Sequence, residues 1–327
     1  MSALLVVVML VWGLSSPIMM LVRAEFLDAY ANDPFFKNWL DTSFKSADPA
    51  WQHRCELYLK NGTIETVKDL SPFSQASQDL FLFYNIFKYW PVMKKNGFYV
   101  ESGANDAFIL SNTVFYDKCL GWQGLCIEPN PEYADGFKDR SCTYVPECVS
   151  ATNQELVLSN TGVRSKILTP NLRGHGRKKE FEHGLKVKCS PFEDMLKKAG
   201  ASKVDFWSLD VEGFEETILR GVDFSKTVVN VLLMEDFWLT NRNMDFFINS
   251  NRFVKYHQMA IDSAYLRRSF LIHNTHEHDE FRKTLTSSSV LPGPQNHDVL
   301  FYPPKWKKDW NDNMAYRDAV RHLLAPC

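Results

Sequence analysis

The chain has 327 residues, of which 45% are hydrophobic and 14% aromatic, and its formal net charge is −2. This length is enough for one large α/β domain with additions. The near-neutral charge gives no support to a nucleic-acid partner or to adsorption on an anionic membrane. Such a high aromatic content is typical of a dense core or of a ligand cleft.

The first 24 residues have no charge before Arg23, and their apolar stretches span residues 3–14 and 18–22. This pattern fits a signal peptide cleaved after Ala24, a membrane anchor over residues 3–22, or a buried helix. Asn61-Gly-Thr63 is a glycosylation sequon. The leader and the sequon together favour a glycoprotein of the secretory pathway, either in the ER or Golgi lumen or secreted.

Seven cysteines are present, and none of them has a metal-binding spacing such as C-x-x-C. In an oxidising compartment some would pair, and the odd number leaves at least one unpaired or bonded to another chain. Cys126 lies inside a predicted strand and is interpreted as a buried thiol. Cys142 and Cys148 flank a short strand-like piece, and Cys55 or Cys327 could hold a terminus in place.

Residues 25–95 read as a helical capping region, interrupted by Pro34, Pro49 and Pro72. Within it, residues 74–87 place apolar side chains at helical spacing, which predicts a helix that covers the sheet just before the first strand. We assign residues 96–305 to the main domain and residues 306–327 to a C-terminal tail.

Two strands of the main domain end in acids. The first, over residues 98–100, is followed by Glu101 and a glycine turn at Gly103, and the next, over residues 124–127, is followed by Glu128. This layout predicts a nucleotide-like ligand at the carboxyl edge of a sheet, where the second acid can accept both ribose hydroxyls. A pyrophosphate-binding G-x-G-x-x-G is absent. The site therefore favours S-adenosylmethionine over a nicotinamide dinucleotide.

Further strands alternate with helices along the rest of the chain. This alternation predicts a doubly wound α/β sheet with helices on both faces and a ligand at the carboxyl ends of its strands. The predicted strands cover residues 142–149, 155–158, 185–189, 204–209, 228–235, 264–272 and 297–302, and the helices cover residues 191–199, 215–220 and 246–253.

A third motif makes the prediction more specific. Asp210-Val-Glu212-Gly213-Phe-Glu215 resembles the D-x-E-G-x-E signature of FkbM-type methyltransferases, and residues 100–107 resemble that family's V-E/D-x-G-A-N-D-G. The runs 110–113 and 120–131 are similar to the eukaryotic branch, which includes the Star-like proteins. The resemblance covers roughly residues 74–303, with one departure, because Ala107 stands where the family usually has glycine.

The resemblance implies a Rossmann-like methyltransferase fold and a site for S-adenosylmethionine. Glu101 would hold the amino end of the cofactor, Glu128 would bind the ribose, and the turn after the first strand would lie under the methionine moiety. Ser111 and Asn112 could bind the cofactor or cap a helix. The implied cofactor-binding residues are Glu101, Gly103, Ala104, Asn105, Asp106, Ser111, Asn112, Glu128, Pro129 and Asn130.

Asp210 and Glu212 end the fourth parallel strand, where a methyl acceptor would meet the donor, and we assign them as catalytic residues. They could orient or deprotonate an acceptor hydroxyl, hold a divalent cation with Glu235 or Asp236, or support the cationic cofactor electrostatically. Alternatively, Asp210 caps the next helix while Gly213 relieves crowding. We assign no metal ligands.

A basic stretch lies between the third and fourth parallel strands. It could recognise an anionic acceptor such as an acidic glycan, or form a solvated loop. Its members are Arg164, Lys166, Arg173, His175, Arg177, Lys178, Lys179, Lys186 and Lys188. His273, His276 and His278 could bind a metal, supply a base or be solvated.

These features predict an S-adenosylmethionine-dependent methyltransferase of the secretory pathway, with a sugar or other hydroxyl group as the acceptor. A catalytically inert protein that handles cargo in the ER or Golgi, as the Star-like resemblance also implies, is the main alternative. The oligomeric state cannot be read from the sequence.

Overall fold

A computed structural model describes residues 34–61, 73–74, 78–87, 96–159, 161–168, 181–236, 246–247, 252–259 and 262–270. Eleven strands and five α-helices lie wholly within these residues. The strands are β1 (Phe98–Ser102), β2 (Gln123–Ile127), β3 (Cys142–Val145), β4 (Cys148–Val149), β5 (Gln154–Leu158), β6 (Ile167–Leu168), β7 (Leu185–Ser190), β8 (Lys203–Leu209), β9 (Val228–Glu235), β10 (Phe253–Met259) and β11 (Asp262–Arg267). The α-helices are α1 (Pro34–Thr42), α2 (Gln52–Asn61), α3 (Gln78–Asn85), α4 (Phe192–Lys198) and α5 (Glu215–Gly221).

The main sheet has seven strands in the order β10-β11-β9-β8-β1-β2-β3. β1 pairs in parallel with β2 and β8, and the parallel set continues to β3 and β9. Ser102 lies opposite both Ile127 and Leu209, so β1, β2 and β8 end at the same level. The residues that follow these three strands are therefore delivered to one edge of the sheet.

Apolar side chains cover both faces of this sheet, as expected for parallel strands that are buried on two sides. One core includes Tyr99 and Phe206 with residues of α2 and α3, and the other includes Val100 and Trp207 with residues of α4 and α5. In the second core, Trp207 stacks on Phe192 with ring centroids 3.9 Å apart. The predicted doubly wound α/β fold is confirmed.

The antiparallel end of the main sheet differs from the prediction. The helix predicted over residues 246–253 does not reach Phe253, which begins β10, and β10 itself was missed. β11 begins at Asp262 and ends at Arg267, and residues 268–270 are helical, so the predicted strand over 264–272 is too long. Aromatic and β-branched residues such as Phe253 and Val254 fit a helix face or a strand, and only pairing with β11 decides between them.

A second sheet of four strands, in the order β4-β7-β5-β6, lies between β3 and β8 in the sequence. The single strand predicted over residues 142–149 is wrong, because β3 belongs to the main sheet and β4 pairs with β7 in the second sheet. Pro146 has no backbone N–H to continue a ladder, which gives a physical reason for the break. The predicted strands over 155–158 and 185–189 are confirmed as β5 and β7.

The helical region before residue 96 packs against the main domain. Tyr116 donates a hydrogen bond of 2.7 Å to the Asp79 carbonyl, and α3 lies within the predicted range 74–87. Asn61 of the sequon is the last residue of α2. No helix within the described part of the chain is long and apolar enough to cross a membrane. The leader, the strand predicted over 297–302, the three histidines and the tail lie outside the described residues.

Six cysteines form disulfides: Cys55–Cys119, Cys126–Cys142 and Cys148–Cys189. The interpretation of Cys126 as a buried thiol is wrong, because its strand β2 lies beside β3, which begins at Cys142. Cys55 attaches α2 to the short helix Phe115–Cys119, consistent with its predicted role in holding down the N-terminal region.

Candidate active site

A pocket lies at the carboxyl edge of the main sheet, where β1, β2 and β8 end. Its floor is formed by residues 101–105, 127–130, 208 and 210–212, and Gln78 and Asp262 also contribute. The opposite wall comes from the second sheet, with Leu158, Arg164 and Ile167. Both the parallel sheet and the inserted sheet are therefore needed to enclose the pocket.

Glu101 is held firmly at the end of β1. It is 4% exposed, and its Oε2 accepts hydrogen bonds of 2.8 Å from Ser111 and 2.7 Å from Thr113. The Asn112 backbone N–H donates to Oε1, and Arg140 Nη1 lies 3.8 Å from Oε2. Burial raises the pKa of Glu101, and the charge of Arg140 opposes that rise. Glu101 is therefore a buried, oriented acid rather than an exposed loop residue.

Arg140 was not identified from the sequence, although it organises this side of the pocket. Its side chain is fully buried, and its Nε donates a hydrogen bond of 2.6 Å to Asp117. It also donates to the Ala107 carbonyl and, at 2.7 Å, to Thr113 Oγ1. Arg140 thereby fixes both the loop after β1 and the residues that hold Glu101. A single arginine after a short helix carries no sequence signal for this role.

Glu128 follows β2 and is 6% exposed. Its Oε2 accepts the Asn105 N–H at 2.8 Å, and its Oε1 accepts the Asn130 N–H at 2.7 Å. Burial raises its pKa, and these two hydrogen bonds oppose the rise. Each carboxylate oxygen can accept a further hydrogen bond, so Glu128 can receive two hydroxyl groups from a ligand. Glu128 does not cap the short helix that follows, Pro131–Asp139, because Asn130 is its N-cap and accepts from the Glu132 N–H.

The turn after β1 brings two loops into contact. Gly103 has φ +75°, and a Cβ atom at this position would collide with the backbone carbonyl oxygen of Asp210. The N–H groups of Gly103 and Ala104 both donate to the Ile127 carbonyl, at 3.1 and 3.2 Å. Asn105 also has positive φ, at +48°. The turn is thus tied to the ends of both β2 and β8.

Most of the predicted cofactor-binding residues line the pocket: Glu101, Gly103, Ala104, Asn105, Asn112, Glu128, Pro129 and Asn130. Asp106 and Ser111 do not. Asp106 instead accepts hydrogen bonds from the N–H groups of Phe108 and Ile109, at 2.8 Å each, because its short side chain turns back onto its own loop. Ser111 points at Glu101 and supports the pocket indirectly.

Ser111 and Asn112 do not cap the helix that follows, which begins at Phe115 with Val114 at its N-cap. Asn112 Nδ2 donates to Ser208 Oγ at 3.0 Å, which links the loop after β1 to β8. Its side-chain oxygen is buried and has no hydrogen-bond partner among the described residues. A ligand with an amino group or hydroxyl group could donate to that oxygen.

Ala107 is not strained, because it is absent from the described non-glycine residues with positive φ. It is 2% exposed, lies outside the pocket lining and packs where a Cβ on Gly136 would be 3.0 Å from its own Cβ. The methyl group that replaces the family glycine therefore fills a gap behind the pocket and does not enter it.

Several acids surround the end of β8. Asp210 and Glu212, which the sequence analysis assigned as catalytic residues, line the pocket. Three further acids, Glu215, Glu235 and Asp262, lie near them. Burial, followed by the negative charges of its neighbours, raises the pKa of Asp210 well above its ordinary value. Burial also raises the pKa of Glu215 to about 7 and that of Glu235 to about 10.

Glu215 and Asp262 were not assigned from the sequence. Glu215 is the last acid of the D-x-E-G-x-E motif, and its place in that motif could have identified it as a site residue. It accepts the N–H groups of Val211 and Gly213 at 2.9 and 3.2 Å, so Glu215 rather than Asp210 caps this turn. Gly213 is required for its φ of +98° and not to relieve crowding, since nothing lies within 4 Å of a Cβ placed there.

Among the described members of the basic stretch, one lines the pocket. Arg164 lines it, whereas Lys186 and Lys188 are exposed on the second sheet and pair with Glu155 and Glu147. Burial raises the pKa of Glu212, and the positive charges of Arg164 and Lys166 oppose that rise. Arg173, His175, Arg177, Lys178 and Lys179 lie outside the described residues.

A doubly wound sheet with a pocket at the carboxyl ends of its parallel strands defines a Rossmann-like fold with a ligand site in its usual place. Residues 101–285, more than half of the chain, match the family model of the methyltransferase FkbM domain, and the chain belongs to this family. Membership implies a methyl donor of the S-adenosylmethionine type. No curated protein matches the chain.

Two solved structures are similar to parts of the chain. The METTL16 MTase domain is 12% identical and has a TM-score of 0.34, with 75% of this chain and 92% of that chain covered. The N-terminal domain of human METTL16 is 11% identical and has a TM-score of 0.34, with 74% and 96% covered.

Proposed function

We propose that the protein is an S-adenosylmethionine-dependent O-methyltransferase that modifies a hydroxyl group, on a sugar or another acceptor, in the secretory pathway. The observation that carries the proposal is the pocket itself. One loop presents Glu128 with both carboxylate oxygens oriented by backbone N–H groups, and another presents Asp210 and Glu212. The first suits a ribose and the second suits an acceptor hydroxyl.

The residues present fit the donor. Glu128 can accept the two ribose hydroxyls, and the unpartnered oxygen of Asn112 can accept a hydrogen bond from an amino group. Gly103 lets the loops after β1 and β8 approach each other closely at the pocket, because a Cβ there would collide with the Asp210 carbonyl. Glu101 lines the same wall and would face the positively charged amino end of the donor.

S-adenosylmethionine, when bound, supplies a methyl group already activated for transfer to a nucleophilic oxygen. The protein then has to position the acceptor and to take its proton, and much of the rate enhancement can come from positioning. We assign Asp210 or Glu212 as the general base that accepts the proton of the acceptor hydroxyl. Asp210 is anchored because its backbone N–H donates to the Ser102 carbonyl at 3.1 Å. Burial raises the pKa of Asp210, and a carboxylate with a raised pKa binds a proton more strongly once it is ionised.

The compartment is proposed on the chemistry of the cysteines together with the leader and the sequon. Three disulfides are typical of proteins that fold in an oxidising environment. Arg164 on the pocket wall favours an acceptor that carries negative charge, such as an acidic glycan.

The test is transfer of labelled methyl groups from S-adenosylmethionine to isolated secretory membranes. Asp210→Asn and Glu212→Gln preserve shape and remove one charge. If either acid is the general base, that variant should lose about 10²-fold or more in turnover while keeping most of its cofactor affinity. Glu216→Gln is the matched control and should retain parental turnover, because Glu216 of α5 pairs with Arg220 and does not line the pocket.

The cargo-handling alternative predicts a different result. An inert protein would transfer no label, and its trafficking role would survive both substitutions. Equal label incorporation with the parent, with the double variant and with no added protein would therefore overturn the methyltransferase proposal for this chain.

A further inference from the structure

Three acids converge behind the pocket floor. Asp210 follows β8, Glu215 begins α5 and Glu235 ends β9. One carboxylate oxygen from each lies within 4.8 Å of one from each of the others. This separation matches the diameter of a metal coordination sphere, about 4–5 Å for oxygen ligands at roughly 2.1–2.5 Å.

Two of these acids have an oxygen that no described residue satisfies. Glu215 is fully buried and Glu235 is 6% exposed, and Oε2 of each has no hydrogen-bond partner within the described part of the chain. A buried carboxylate oxygen without a partner is costly, since it loses its hydration and gains nothing in return. Each of these two oxygens can therefore accept a ligand from outside the described part of the chain.

Three basic side chains of this region act on other acids: the charge of Arg164 acts on Glu212, and Arg140 and Lys255 have ion-pair partners outside the cluster. Arg140 binds Asp117 and lies beside Glu101, and Lys255 binds Asp236 at 3.0 Å. Across the described residues, no ion pair involves Asp210, Glu215 or Glu235. Asp236, which the sequence left open as a possible cation ligand, also accepts from Tyr265 and is thus removed from the cluster.

We propose that Asp210, Glu215 and Glu235 form a binding site for a divalent cation that prefers oxygen ligands, such as Mg²⁺ or Mn²⁺. Carboxylates are the ligands these hard cations select, and three of them leave positions for water or another oxygen. Asp210 also lines the pocket, so those positions open toward the acceptor. If the proposed function holds, the cation would orient the acceptor hydroxyl.

The site is partly preorganised. Glu215 Oε1 accepts the N–H groups of Val211 and Gly213, which fixes the carboxylate and leaves Oε2 as the oxygen without a partner. Glu235 is set by its place in the sheet, where it pairs with Asp262 of β11. Rigid elements hold two of the three ligands, and this reduces the entropy lost on binding.

The experiment measures Mn²⁺ binding to the full chain by electron paramagnetic resonance, after treatment with a chelator and without cofactor or acceptor. The parent should bind one Mn²⁺, and Mg²⁺ should compete for the site. Glu235→Gln should weaken binding by at least about 10- to 100-fold, the loss usually seen when even an outer-shell partner is removed. Oε2 of Glu235 accepts no hydrogen bond from any described residue, so this substitution should leave folding intact.

Asp210→Asn is the second variant and should weaken Mn²⁺ binding to a similar extent, whereas Glu216→Gln, next to Glu215 on the same helix, should bind like the parent. Absence of Mn²⁺ binding by the folded parent would show that protons alone neutralise the cluster. Parental affinity in both Glu235→Gln and Asp210→Asn would equally overturn the site. Neither outcome bears on cofactor binding at Glu128, so the two proposals fail separately.

Discussion

At the scale of single residues, Glu128 shows how backbone geometry can aim a side chain. Two N–H groups from different loops hold its two oxygens, at 2.8 and 2.7 Å, and leave further lone pairs toward the pocket. The sequence predicted an acid at the end of β2 and its function as a ribose ligand. It did not contain the information that Asn105, from the neighbouring loop, supplies one of the orienting hydrogen bonds.

We expect Glu128→Ala to weaken binding of S-adenosylhomocysteine by roughly 30- to 150-fold, because two hydrogen bonds to a charged acceptor are lost, at a cost of about 2–3 kcal/mol. Calorimetric titration of the parent and the variant measures this difference. Glu132→Gln, an exposed acid of the following turn, should bind like the parent. Equal affinities of Glu128→Ala and the parent would remove Glu128 from the cofactor site.

At the scale of elements, the pocket depends on three parallel strands that end at one level. The loops after β1 and β8 touch at Gly103 and Asp210. The contact requires glycine at position 103, because a side chain there would collide with the Asp210 carbonyl. The second sheet then closes the pocket from the other side. Its strands β5 and β7 were predicted individually, but nothing in their sequences showed that Arg164, in the turn between β5 and β6, would reach the pocket.

Gly103→Ala should destabilise the protein by more than Gly200→Ala does. Both glycines have positive φ, at +75° and +67°, and alanine there costs about 1–2 kcal/mol. A Cβ at position 200 meets nothing within 4 Å, whereas one at position 103 collides with the Asp210 carbonyl. Urea unfolding of the two variants isolates the cost of the collision. Equal losses would mean that the loops after β1 and β8 can separate freely.

At the scale of the whole molecule, the disulfides join parts of the chain that are distant in sequence. Cys55–Cys119 closes a separation of 64 residues and attaches the N-terminal helices to the main domain. Closing a loop of this length stabilises the folded state by about 4 kcal/mol in the chain-entropy model. The described helices before residue 96 therefore belong to the same cooperative structure as the sheet.

Counting thiols tests this arrangement. Protein expressed through the secretory pathway and unfolded without reductant should react with at most one equivalent of an alkylating reagent, and with seven after reduction. Mass spectrometry of the intact chain reads both numbers, and treatment with an endoglycosidase reports on Asn61. Seven reactive thiols before reduction would contradict the disulfides and the proposed compartment together.

The parallel core, the acids at the ends of its strands and the family could all be predicted from the amino-acid sequence. Buried strands are continuous apolar runs, and the glycine turns and acids follow them at short range, so these signals are local. Only the tertiary structure decided that β3 and β4 belong to different sheets, that Cys126 pairs with Cys142, and that Arg140 holds the Glu101 loop. It alone also brought Glu235 to Glu215. Those contacts join residues far apart in the chain, and their energies depend on strand pairing and burial, which no local pattern of residues encodes.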